Sequence, residues 1–175
     1  MVGIAHHYLY CVNCFLTQEL MMNKKSNSSL STETQRWLTA KGYKSTDLEQ
    51  TGGNGDTALM KATRDGVFTV VEELINAGAE INARNNDGNN ALWFACFGIH
   101  YDLIDFLLAH KINIDNQNDN GATVSMYAAS SGKAEVLKLL LQYHPNLDLK
   151  NLDDYRAIDF ASTIEVLRIL KNAAK

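Results

Sequence analysis

The residues closest together that could hold or activate something are His6, His7, Cys11 and Cys14. Two thiolates with two residues between them can share a zinc ion, and imidazoles complete such sets. The spacing is too tight for a usual zinc finger, and no second distant pair follows. The aromatic crowding around these residues suits a small buried or disordered segment equally well. A metal-binding or enzyme-accessory role built on this cluster is therefore the alternative reading, and no metal or cofactor is assigned. Cys96 has no histidine beside it within its predicted helix, so an inert packed thiol is expected rather than a nucleophile. His100, His110 and His144 fall on or just after predicted helices, where solvated surface positions are expected. The chain has no Gly-rich phosphate loop ahead of a helix, no H-E-x-x-H and no G-x-S-x-G. The acidic residues are scattered, and none places a base beside a nucleophile. No catalytic residue and no enzymatic activity are expected.

Composition narrows the class further. The chain has 175 residues, 46% hydrophobic and 21% charged, with a net charge of −4. Nothing here suggests the basic face of a nucleic-acid binder, and no apolar run is long enough for a membrane helix. The three cysteines do not make a disulfide framework, and a reducing, cytoplasmic setting fits.

Residues 1–29 form an apolar, then polar, amino-terminal segment. A secretory leader would carry positive charge ahead of its apolar run, but Lys24 and Lys25 follow it. The two alternatives are an exported form with a leader and a natural start at Met21 or Met22. Residues 30–53 hold one predicted helix, over 31–42. Ser31 is its cap, Glu33 stands in the first turn, Trp37 and Leu38 form the apolar side, and Gly42 is the C′ residue.

From Asn54 onward the chain is one unit repeated. Gly55, Gly88 and Gly121 recur at 33 residues, as do Ala62, Ala95 and Ala128. A fixed period of this size specifies a stacked solenoid. In the second copy, Asn85-Asn86-Asp87-Gly88 is a hairpin tip. Asn90 caps a short inner helix over 91–97, and an outer helix over 101–109 carries Leu103, Ile104, Leu107 and Leu108 on one face. Ala62, Ala95, Ala128 and Ala161 must be small because the next repeat packs on them. Ile81, Ile114 and Leu147 point inward. Met60, Trp93 and Met126 make one packing ladder, and Phe94, Tyr127 and Phe160 a second. In the fourth copy Asp154 replaces the tip Gly, an inner helix is expected over 157–163, and the following turn is three residues short.

These motifs resemble the ankyrin repeat. Asp56-Thr57-Ala58-Leu59, Leu74-Ile75 and Gly78-Ala79-Glu80-Ile81-Asn82 match its pattern well. The family's Pro is replaced by Ala58, Ala91, Val124 and Ala157, and its His by Met60, Trp93, Met126 and Asp159. The resemblance implies an all-α ankyrin-repeat solenoid of helix-turn-helix units with hairpin loops. It divides the chain into a degenerate capping half-repeat at 30–53, repeats at 54–86, 87–119 and 120–152, and a shortened carboxy-terminal cap at 153–175. The asparagine-rich, proline-poor repeats are similar to those of small bacterial members.

The resemblance also implies a function. Ankyrin repeats bind protein partners through the hairpin tips and the exposed side of the inner helices. Carried over, the tips are Arg84, Asn86, Asp87 and Asn89, then Gln117, Asp119, Asn120 and Ala122, then Lys150, Leu152, Asp153 and Tyr155. The inner-helix positions are Arg64 and Asp65, Phe97 and Gly98, and Ser130 and Ser131. The strongest candidates for partner contact are Arg64, Arg84, Asp87, Asn89, Phe97, Asp119, Asn120, Asp153 and Tyr155. Asp87, Asp119, Asp153 and Asp154 would form one acidic row suited to a basic partner surface, with Phe97 as apolar anchor. The expected protein is a monomeric, non-enzymatic binding module. Within the family it would be an inhibitor or immunity protein for a bacterial effector, or else a host-directed effector or scaffold.

Overall fold

The computed structural model describes residues 30–173. The His6, His7, Cys11 and Cys14 cluster, the leader and start readings, and Lys175 lie outside those residues.

Helix α1 (Thr32–Ala40) starts at Ser31, whose hydroxyl accepts the Thr34 N–H. It ends at Gly42, whose φ of +85° lets Tyr43 N–H return to the Leu38 carbonyl. Three helix pairs follow. The inner helices are α2 (Ala58–Arg64), α4 (Ala91–Gly98) and α6 (Val124–Ser130), and the outer helices are α3 (Phe68–Asn76), α5 (Tyr101–Ala109) and α7 (Ala134–Leu141). Thr57, Asn90 and Thr123 cap the inner helices by accepting the N–H three residues on. At Thr57 and Thr123 the reciprocal contact comes from sulfur. Met60 Sδ and Met126 Sδ each lie 3.5 Å from the cap N–H.

Inner helices pack on inner helices and outer on outer, with α1 against α3. The core runs between the two layers. Leu59, Leu74, Leu92, Leu103, Ile104, Leu107, Leu137 and Leu140 are buried in it, and Ala62, Ala95 and Ala128 are fully inaccessible where neighbouring inner helices touch. Ile81, Ile114 and Leu147 are half-buried against this core. Trp93 is also half-buried, and it stacks on Tyr127 at 5.1 Å, so the two expected ladders meet there.

The fourth unit departs from expectation. Its inner segment is a single 3-10 turn, Ala157–Phe160, rather than a helix over 157–163. The shortened linker leads directly into α8 (Ile164–Ala173), so there is no room for a further turn. Ala161 is only half-buried, since no inner helix covers it. A pocket of about 80 Å³ remains between Leu147, Ile158 and Leu170.

Each inner helix ends on a residue in the left-handed region. These are Gly66 (φ +71°), Ile99 (φ +58°) and Gly132 (φ +66°), and the next N–H bonds back to Ala62, Ala95 or Ala128. Glycine adopts this conformation freely. A β-branched residue does so at a cost of roughly 1–2 kcal/mol. Lys111 and His144 hold the same conformation after outer helices, but neither is branched at Cβ.

Candidate functional site

The hairpin tips are built from one recurring asparagine. Asn85, Asn118 and Asn151 each accept two backbone N–H groups on Oδ1, from the residues two and four positions on, at 2.8–3.1 Å. Each also donates its own N–H to the carbonyl four residues on. The tips are then tied to one another. Asn86 N–H reaches the Asn54 carbonyl at 3.0 Å, Asp119 N–H the Asp87 carbonyl at 2.9 Å, and Leu152 N–H the Asn120 carbonyl at 3.1 Å. Gly88 and Gly121 permit this approach. A Cβ on Gly88 would stand 2.8 Å from the Asp119 nitrogen, and one on Gly121 2.9 Å from the Leu152 nitrogen.

A second ladder fixes the loops after the outer helices. Asn82 Oδ1 accepts from Asn113 N–H at 2.7 Å, and Asp115 Oδ1 from Asn146 N–H at 2.9 Å. Sequence reasoning did not anticipate these rungs. Their 33-residue spacing was the available signal.

Several expected contact residues are engaged inside the fold. Arg84 donates to the Gly88 and Gln117 carbonyls at 3.0 Å and pairs with Asp119 at 3.3 Å. Gln117 does the same work one repeat on, donating to the Gly121 and Lys150 carbonyls. Arg64 pairs with the buried Asp56 carboxylate at 2.8 Å and lies over the Phe94 ring at 4.0 Å. The other Asp56 oxygen accepts from Asn85 Nδ2, and the Asp56 carbonyl accepts from the Tyr43 hydroxyl. This network joins Tyr43, just past α1, to the first two repeats. Asn89 is only 8% exposed and its Oδ1 has no partner, so it does not present to solvent as expected. His100, expected to be solvated, is half-buried. Its Nε2 is 3.3 Å from the Arg64 carbonyl, and its ring fills the space beside Gly66.

The exposed candidates fall in two places. Arg84, Asp87, Asp119, Asn120, Asp153 and Tyr155 are exposed along the tips. The acidic row is partly neutralised, with Asp119 facing Arg84 and Asp154 facing Lys150 at 3.4 Å. Asp87 accepts from the Asn54 side-chain amide at 2.6 Å. Phe97 is 60% exposed but stands near the opposite end of α4 from the tip, about 10 Å along the helix at 1.5 Å per residue. It stacks on Tyr127 at 6.3 Å, with the Lys133 ammonium 5.5 Å from its ring. Lys133 donates to the Cys96 and Phe97 carbonyls at 3.1 and 2.8 Å and to the Tyr127 hydroxyl at 3.0 Å.

The Cys96 thiol is buried, and burial pushes its pKa up to about 12 against the lowering effect of Lys133. Such a thiol is not a nucleophile at neutral pH. Among the described residues no group of three His, Cys, Asp or Glu could hold a metal, and no helix is long and apolar enough to cross a membrane.

A family model described as ankyrin repeats (3 copies) matches residues 8–118 and 100–175. A probable E3 ubiquitin-protein ligase of Oryza sativa subsp. japonica is 32% identical over 99 residues, 55% of this chain and 20% of that protein. A putative ankyrin repeat protein of Fowlpox virus is 32% identical over 124 residues, 68% of this chain and 35% of its own length. The Notch homolog protein 1 of Xenopus laevis is 39% identical over 80 residues, 46% of this chain and 3% of that protein. The chain thus spans about a third or less of these relatives.

Proposed function

Because the chain belongs to the ankyrin-repeat family, whose repeats are protein–protein interaction modules, we propose that it is a non-enzymatic module whose tips and inner-helix face dock a protein partner. One observation carries this reading. The tips are cross-linked by backbone hydrogen bonds from repeat to repeat, so their exposed side chains form a pre-set row. A rigid row loses little conformational entropy on binding, which favours affinity. Asp87, Asp119, Asn120, Asp153 and Tyr155 supply the contacts. Arg64 and Asn89 support the scaffold beneath them, and Arg84 stands in the row paired with Asp119.

The partner this row suits has a basic surface. Because Arg84 and Lys150 already offset two of the carboxylates, steering is modest and depends on salt. The test is affinity capture from the source cell, then surface plasmon resonance on the captured protein. Asp87→Asn/Asp119→Asn should lower the association rate mainly at low salt, and Tyr155→Ala should raise the dissociation rate. If neither rate moves while the variants stay folded, the tips are not the docking face.

A further inference from the structure

Among the described residues six large apolar side chains are exposed, and three of them fall within five residues of one turn. Phe97 is 60% exposed, Ile99 44% and Tyr101 47%. This turn joins α4 to α5, at the end of the inner helix away from the tips. In the flanking repeats the central position is glycine, Gly66 or Gly132. Here Ile99 takes the same left-handed conformation, which its branched Cβ resists. The fold does not need that side chain, since glycine serves the turn on both sides and Ile99 is not part of the buried core. Strained residues collect at sites of function.

The surroundings say what would cover the patch. Tyr101 continues it into a shallow cleft of about 410 Å³, shared with Leu139 and bordered by Glu135, Lys138 and Gln142. Charge on this side is predominantly negative. Asp102 is exposed and accepts only the N–H of Leu103. Asp105 accepts the Tyr143 hydroxyl. Glu135 and Glu165 share the single cation Lys138, at 2.6 and 2.9 Å. On the Phe97 side Lys133 is held by two carbonyls and the Tyr127 hydroxyl. Four carboxylates against two lysines, Lys133 and Lys138, leave this side net negative, which repels an anionic lipid surface and attracts a cationic peptide.

We propose that the Phe97–Ile99–Tyr101 turn is a second docking surface, and that its occupant is a cationic amphipathic segment of a partner protein. An aliphatic or aromatic side chain of the segment packs on Ile99 between Phe97 and Tyr101. Lys or Arg residues next to it lie along Asp102 and Glu135. The proposal rests on the reading of the chain as a protein-binding module, but it does not use the tips.

The experiment selects binders from a random-peptide display library on the immobilised full chain. Enriched peptides are then measured by fluorescence anisotropy against wild type, Ile99→Gly, Asp102→Asn/Glu135→Gln and the tip variant Asp87→Asn/Asp119→Asn. The expected peptides pair an apolar anchor with basic neighbours. Ile99→Gly should weaken them tenfold or more while raising the urea midpoint of the protein, which separates lost contact from lost folding. The acidic pair should weaken them chiefly at low salt, and the tip variant should leave them unchanged. Equal binding to wild type and Ile99→Gly, or an enriched set without basic residues, overturns the proposal. Binding lost only in the tip variant would support the tips and reject this turn. Concentration-dependent dimerisation abolished by Ile99→Gly would make the occupant a second copy, and binding to anionic vesicles instead of peptides would make it a membrane. Either result also overturns the proposal.

Discussion

Replacing Asp56 by alanine should destabilise the protein by about 2–4 kcal/mol. The Asp56 side chain is 6% exposed and serves two partners, Arg64 at 2.8 Å and Asn85 Nδ2 at 2.8 Å. Without the carboxylate the Asn85 amide, itself buried, loses its acceptor, which costs about 1–3 kcal/mol. Breaking a buried ion pair costs about 3–5 kcal/mol when the surviving charge stays buried. Arg64 is 37% exposed and still rests on Phe94, so it rehydrates and only about 1 kcal/mol of that loss applies. The reverse change, Arg64→Ala, leaves a carboxylate that is 6% exposed without its cation and should cost about as much. Urea unfolding monitored by circular dichroism measures each single variant and the double variant. The double should be less destabilised than the two singles together by about 1 kcal/mol or more. Hydrogen exchange supplies the location. Because repeats contact only their neighbours, amides in α1 and α2 should lose protection while those in α6 and α7 keep it. A cost below 1 kcal/mol for Asp56→Ala, or strict additivity, would falsify the reading of Arg64 as a scaffold residue and return it to the candidate contact surface.

Three further outcomes are expected. Ser125 is buried at the position where the preceding repeats carry Leu59 and Leu92, and its hydroxyl has no partner, so Ser125→Ala should stabilise by about 1 kcal/mol in the same urea assay. A loss of stability would mean that the hydroxyl is satisfied. In a Cys11→Ser/Cys14→Ser background, Cys96 should react with a disulfide reagent only at the rate of unfolding, because burial pushes its pKa up to about 12. Fast labelling in native buffer would show that the inner-helix interface opens. Burial alone would raise the Asp65 carboxyl, but hydrogen bonds from Lys41 and Lys61 outweigh it and hold the pKa below its usual value. A carboxyl depressed on folding contributes stability that is present above its unfolded pKa of about 3.9 and is lost as pH falls through the folded value. Lys41→Met should therefore flatten the fall in stability between pH 5 and pH 2 (about the titration range of such a group), and an unchanged slope would refute the coupling.

Part of the site was readable in the chain and part was not. Exposure at Asp87, Asp119, Asn120, Asp153 and Tyr155 follows from tip chemistry, since Asn, Asp and Gly at turn positions are local preferences. Local pattern does not supply the partners that a side chain meets elsewhere in the fold. Arg84 looks like a free tip cation until the Gln117 carbonyl and Asp119 are placed beside it. Arg64 looks like a free groove cation until Asp56 pairs with it and the Phe94 ring lies under it. His100 has the composition of a surface residue, but it packs against the Gly66 turn of the preceding repeat.

The sequence by itself determined the solenoid, because each of its determinants is local and repeats. Thr57, Asn90 and Thr123 start the inner helices, the Leu and Ile pairs set the buried face, and alanines at 33-residue spacing let the helices touch. The tertiary structure decided what each polar side chain does. A hydrogen bond depends on a partner within about 3 Å, and here that partner commonly lies more than thirty residues along the chain, as in Arg84 to Gln117 and Asn82 to Asn113. It also decided that Ile99 occupies a glycine conformation and that the fourth inner segment shrinks to one turn. The first follows from the stack, which sets the turn between α4 and α5 as it does in the flanking repeats, and the second from the shortened linker into α8.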